Sequence, residues 1–219
     1  ADQRSFYQTL RNLIGKVLRS LRANIGAVPA SARPQAEAIL ASEREIFKRV
    51  EPLLTQKITA LSIRCHGDFH LAQVLYTGRD FVIIDFEGDR NHAASERRRK
   101  RSPLRDVAGM LRSFHNAAYA ALLEDGAVRD TDRPLLEPWA VAWTSWDSAA
   151  YLRSYLETAA EARFVPGDRA QLAMLLDTLL LGNVFRELGA ELREPSERMR
   201  IPMHGLAHML GTATNYTWR

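Results

Sequence analysis

Cysteine is nearly absent: Cys65 is the only one among 219 residues. That excludes an internal disulfide and fits a reducing cytoplasm. No apolar run is long enough to span a bilayer, and Ala1 to Leu10 does not read as a signal sequence, so a cytoplasmic protein without a membrane partner is expected. No two of the 12 glycines lie two positions apart, which excludes a G-x-G phosphate loop. Lysine is scarce, with only Lys16, Lys48, Lys57 and Lys100. Repeats and low-complexity segments are also missing. The charge balance is mild, 30 Lys and Arg against 26 Asp and Glu, a net +4 with a pI near 9.5. A basic excess raises nucleic acid as a partner. Much of it sits in Arg97 to Arg101, however, and such a run is most often a solvated loop or helix face, so nucleic acid is not the expected partner.

The pattern of the chain is mostly helical. Phe6, Leu10, Leu13, Ile14, Val17, Leu18 and Leu21 recur at helical spacing and predict an amphipathic helix over Ser5 to Arg22. A second helix is expected from Pro34 to Val50, with Pro52 ending or kinking it. Ser102-Pro103 reads as a helix start, with Leu104, Val107, Ala108, Leu111 and Phe114 on its buried face. A long helix is expected from Leu135 to about Arg163. It carries Trp139, Trp143 and Trp146 on one face, read as core, with one tryptophan at a sugar groove as the sharper alternative. Further helices cover Asp168 to about Leu192 and a short piece from Ile201. The tail from Thr212 is expected to fray. The whole, 1–219, is read as one domain of mainly α class with a small β-hairpin.

The hairpin marks the chemistry. Phe81 to Ile84 is a β-branched and aromatic run too short for a helix. Val74 to Tyr76 is a second short strand, and Thr77 to Asp80 between them reads as a tight turn. Such a hairpin brings the loop before Val74, with His66, Asp68 and Gln73, to the strand end at Asp85 and Glu87. Two acids and an amide oxygen then converge. Oxygen ligands of this kind suit magnesium, which leaves positions for water and substrate phosphates. Phosphoryl transfer needs such a metal and one carboxylate to orient the attacking hydroxyl. A zinc pair from His66 and His70 is disfavoured, because Gly67 argues against the helix that would align them and no third ligand is evident.

HGDFHLAQVLYTGRDFVIIDFEG, followed by ERRRKRSPLRDVAGMLRSF, resembles bacterial maltokinases, members of the aminoglycoside-phosphotransferase-like kinases, including maltokinases fused behind a trehalose synthase. The resemblance is strong from Ile63 to Phe114 and looser from Leu136 to Gly205. It implies a protein-kinase-like C-terminal lobe, with catalytic loop and metal strand at 63–88, that uses ATP and Mg2+ to phosphorylate a sugar, maltose first and another sugar or an amino sugar second. On that resemblance Asp68 matches the catalytic base, and Gln73 and Asp85 match the metal ligands. Glu87 matches a position near metal or substrate, and His66 and Asp106 support the loop. His70, Glu187 and Glu191 fall at positions assigned to substrate. The basic run 97–101 also has a counterpart there, which lowers the nucleic-acid reading further. Asn183, Arg186 and Arg193 to Arg198 depart from the pattern, which puts the sugar in doubt. A nucleotide-anchoring lysine at a strand end is missing as well. The resemblance therefore implies that an N-terminal lobe, and with it the clamp over the nucleotide, lies outside these residues.

Overall fold

The computed structural model describes residues 2–88, 93–123, 128–129 and 131–211. The tail expected to fray lies outside them. The described chain is mainly helical with one two-stranded antiparallel sheet. In order it runs α1 (Asp2–Ala23), α2 (Arg33–Ala41), α3 (Glu43–Val50), α4 (Pro52–Thr55), β1 (Val74–Tyr76) and β2 (Phe81–Ile83). There follow α5 (Ala94–Arg97), α6 (Leu104–Leu123), α7 (Arg133–Thr158), α8 (Arg169–Glu191) and α9 (Arg200–Met209). None of the described helices is long and apolar enough to cross a membrane.

The contacts form two compact units, one of Ala1–Lys57, His115–Ser145 and Leu181–Arg219, the other of Ile58–Phe114 and Trp146–Leu180. The divisions fall inside α6, α7 and α8. In the first unit α1 buries Leu10, Ile14, Val17, Leu18 and Leu21. A Cβ on Gly189 of α8 would stand 3.0 Å from Val17, so glycine lets the two helices approach closely there. The helix expected over 34–50 is broken at Ser42. The Ser42 hydroxyl donates back to the Ala38 carbonyl at 2.9 Å, and its N–H is shared between Ala38 and Ile39 carbonyls. Such back-bonding competes with the helical ladder and bends the chain.

In the second unit, Leu104, Val107, Ala108, Met110 and Leu111 line the buried face of α6. The hairpin pairs Val74 with Ile83, Leu75 with Val82 and Tyr76 with Phe81. Ile63 bridges Arg101 in both directions, at 2.9 and 2.8 Å, and fastens the start of the loop to the segment that leads into α6.

One expectation is overturned. Trp139, Trp143 and Trp146 do share a face of α7, but that face is exposed, at 73%, 46% and 78% of their surface. The buried side of α7 is carried by small residues, Ala140, Thr144 and Ser148. Spacing fixes which residues stand together on a helix; it does not say which side turns inward.

Candidate active site

The site belongs to the second unit. Its central piece is the loop from His66 to Gln73, and α6 holds it in place. The Asp106 carboxylate accepts two backbone N–H groups, from His66 at 2.7 Å (Oδ2) and from Gly67 at 2.9 Å (Oδ1). Bonds to an ionised acceptor are the stronger kind. Asp106 stands in the first turn of α6, where the helix dipole also favours a negative charge. Further along, a Cβ on Gly109 would meet the Phe69 carbonyl at 2.5 Å, so only glycine lets the loop lie this close to the helix.

The loop is also clasped to the strand end. His66 Nε2 donates to the Ile84 carbonyl at 2.7 Å, while Nδ1 accepts from the Asp68 N–H at 3.4 Å. The ring packs between Phe69 and Phe86, with centroids 5.4 and 5.1 Å away. Both ring nitrogens are therefore engaged, which leaves neither for a zinc ion. Asp68 lies two residues beyond one end of this clasp, and Asp85 is the residue after the other. Gln73 joins them through its carbonyl, which accepts the Ile84 N–H at 3.0 Å, one step past the Val74–Ile83 pair.

The turn after Asp85 is shaped for this contact. Asp85 has φ +57°, the left-handed region that Asp tolerates better than most residues. Its carbonyl accepts from Gly88 N–H at 3.2 Å. Gly88 has φ +73°, and a Cβ there would stand 2.9 Å from the His66 carbonyl, so glycine is required on both grounds. Arg97 donates from Nη1 to the Glu87 carbonyl at 2.9 Å, and Arg101 pairs with Glu96 at 2.9 Å. Part of the basic run is thus committed within the chain.

The residues expected at the site are placed as follows. Asp68 is half-buried, and His70 Nε2 lies 3.8 Å from its Oδ1, beyond hydrogen-bond distance. Gln73 is half-buried, and Asp85 and Glu87 are exposed. Glu187 and Glu191 fall in the other unit; Glu191 stands 4.0 Å from Arg198. Asn183 accepts from the Arg186 guanidinium. Among the described residues no three His, Cys, Asp or Glu side chains cluster to hold a metal. The residues expected to bind metal, Gln73 and Asp85, lie on segments joined by the Gln73–Ile84 backbone bond, and they offer an amide oxygen and a carboxylate. That fits magnesium, which takes few protein oxygens and completes its shell with water and phosphate. Sequence reasoning missed Gly109 and Ser113, whose hydroxyl accepts the Leu71 N–H at 3.1 Å. Their spacing from Asp106, three and seven residues, was the available signal.

Burial pushes the Cys65 thiol up to about 11, and the Asp106 charge adds to the effect. Burial, then the neighbouring Cys65 and Asp106, also raises the Tyr155 phenol; Tyr151 is raised by burial, Tyr155 and Asp106. These groups stay protonated at neutral pH. The thiolate is the nucleophile, so Cys65 in the folded chain should react with iodoacetamide far more slowly than a free thiol at pH 8. Its rate should climb about tenfold per pH unit up to that value. Fast labelling at pH 8, unchanged by denaturant, would contradict this.

No family model matches the chain. A curated protein, glucosamine kinase of Mycolicibacterium smegmatis, is 38% identical over 72 residues, which are 31% of this chain and 18% of that protein. Among solved structures, glucosamine kinase in one crystal form superposes with a TM-score of 0.74 at 22% identity, over 94% of this chain and 46% of the other. Glucosamine kinase in complex with glucosamine, ADP and inorganic phosphate gives 0.68 at 21% identity, over 92% and 47%. The chain spans about half the length of these solved structures and under a fifth of the curated relative, and it has the fold of that part of glucosamine kinase.

Proposed function

We propose that this chain is the lobe of an ATP-dependent sugar kinase that carries the proton acceptor and the metal ligands, with 1–219 acting together as one kinase-like C-terminal lobe. The observation that carries the reading is the His66 clasp. A loop braced on Asp106 is tied at 2.7 Å to the Ile84 carbonyl, which sets Asp68 and the Gln73–Asp85 pair at the two sides of a single bond. Asp68 accepts the proton of the attacking sugar hydroxyl. Gln73 and Asp85 would hold magnesium, which would supply positive charge to offset that of the nucleotide phosphates. Positioning supplies most of the rate in such a transfer, so the rigidity of the loop matters as much as the identity of the acid.

We place glucosamine first among acceptors. The relatives reported above are glucosamine kinases, one of them solved with glucosamine and ADP. Maltose, the sugar implied by the sequence resemblance, is named by none of them, and maltose and a trehalose synthase fusion rest on that resemblance alone. A lobe that clamps the nucleotide, supplied outside these residues, completes the reading.

The test is ADP release by the longest natural form of the protein, with ATP and magnesium, across glucosamine, glucose, maltose and trehalose. Turnover with glucosamine well above the others is the expected result. Turnover with maltose alone would reverse the choice of acceptor. No turnover with any sugar, from folded protein that binds nucleotide, would overturn the kinase reading.

A further inference from the structure

We infer that one stripe of α6, made of Asp106, Gly109 and Ser113, is the template on which the whole segment from His66 to Gln73 is laid, and that Ser113 is the positioning residue for Gln73. This rests on the sugar-kinase reading, since it gives the stripe its purpose.

The three contacts run in step along both partners. Asp106 takes the N–H groups of His66 and Gly67, Gly109 faces the Phe69 carbonyl, and Ser113 takes the N–H of Leu71. On a helix, positions separated by three and seven residues lie on one face, so the stripe advances about a turn for each step of the loop. The division of labour follows from chemistry. Asp106 satisfies two donors before Asp68. Gly109 limits nothing, and by limiting nothing lets Phe69, the residue after Asp68, sit against the helix.

Ser113 acts at the other end. Its hydroxyl has one proton, which it donates to the Met110 carbonyl at 2.9 Å. The oxygen that faces the loop is therefore an acceptor, and the Leu71 N–H fills it. Leu71 opens the 3-10 turn Leu71–Gln73, whose first N–H has no partner within the turn, and His70 supplies no side-chain cap. Ser113 thus caps the turn from a neighbouring element. At the far end of the same turn, Gln73 N–H donates to His70 O at 2.9 Å and Gln73 O accepts from Ile84, beside Asp85. Two residues of tight turn connect the cap to the amide that would touch the metal, so a loosened cap reaches Gln73 before it reaches Asp68.

The test uses Ser113→Ala and Ser113→Thr. Threonine keeps a hydroxyl that can bond the carbonyl of the preceding helical turn; alanine does not. In the 219-residue chain, amide hydrogen exchange at Leu71 and Gln73 should speed up on the order of tenfold in S113A and return close to the unaltered rate in S113T. In the longest natural form, S113A should need on the order of tenfold more magnesium for half-maximal ADP release, with KM for the sugar unchanged, and S113T should restore the requirement. Unaltered exchange at Leu71 in S113A overturns the template. ADP release with an unchanged magnesium requirement in S113A, or an equal shift in S113T, overturns the role of Ser113 alone. No ADP release from the unaltered protein overturns the kinase reading and the role together.

Discussion

Asp68→Asn is expected to lower kcat by roughly 10²- to 10⁴-fold, the range that a positioned general base supplies, while leaving folding and nucleotide affinity close to those of the unaltered protein. The substitution keeps the shape of the side chain and removes its capacity to accept a proton. Little in the structure depends on the carboxylate otherwise. The backbone N–H of Asp68, not its side chain, joins the His66 network, at 3.4 Å to Nδ1. The side chain is half-buried, and His70 Nε2 stands 3.8 Å from its Oδ1. A surface-adjacent change of this sort usually moves stability by no more than about 0.5 kcal/mol. The expected pattern is thus a large kinetic loss with an unmoved unfolding midpoint and an unmoved nucleotide dissociation constant, read by ADP release, urea titration and calorimetry on the longest natural form. A kcat within about threefold of the unaltered protein, with folding intact, would remove Asp68 from the role of base.

The hairpin was legible because two signals agreed. A β-branched run with turn residues at Thr77 to Asp80 leaves one register open, and Val74 does pair with Ile83. The helix at the start of the chain was legible because its apolar spacing is strong and uninterrupted. The break at Ser42 was not, because a serine that bonds back to its own helix looks like any other helical serine until its hydroxyl is placed. The tryptophans of α7 misled, since size suggests burial while the small residues Ala140, Thr144 and Ser148 are the ones that face inward. The template on α6 was hidden for a more general reason. Gly109 and Ser113 are ordinary helical residues in isolation. Their meaning comes from a loop about 40 positions earlier in the chain, at Phe69 and Leu71, and such long-range approach leaves no local pattern. Asp85 belongs to the same class: its left-handed backbone follows from the turn to Gly88, not from a feature of its own.

Asp106→Ala is expected to do what Asp68→Asn does not: to lower stability and turnover together. Removing the carboxylate leaves the N–H groups of His66 and Gly67 without their acceptor, at a site where the chain is already held in an unusual shape by Gly67 at φ +88°. Hydrogen bonds to a charged group contribute about 1.5–3 kcal/mol each, and donors left unsatisfied cost a similar amount. His66 is half-buried and Gly67 exposed, so both N–H groups recover part of this from water, and a loss of about 3 kcal/mol is expected from the pair. The effect on the reaction comes through geometry. His66 loses its backbone anchor, the clasp to Ile84 slackens, and Asp68 is no longer fixed relative to Gln73 and Asp85. A misplacement of about 1 Å can lower a rate on the order of 100-fold. Asp106→Asn separates the two contributions. An amide offers one oxygen, so it can keep one of the two N–H bonds while its NH2 faces the other donor. It should therefore fall between alanine and aspartate in unfolding midpoint, and lie close to alanine in kcat, because a loop held at one point is still free to turn. Amide exchange at His66 and Gly67 gives the check that does not depend on turnover: both should quicken in Asp106→Ala, and one more than the other in Asp106→Asn. If exchange at both positions and the urea midpoint stay unmoved in Asp106→Ala, the loop is held by something other than this carboxylate, and the account of how the site is built falls with it.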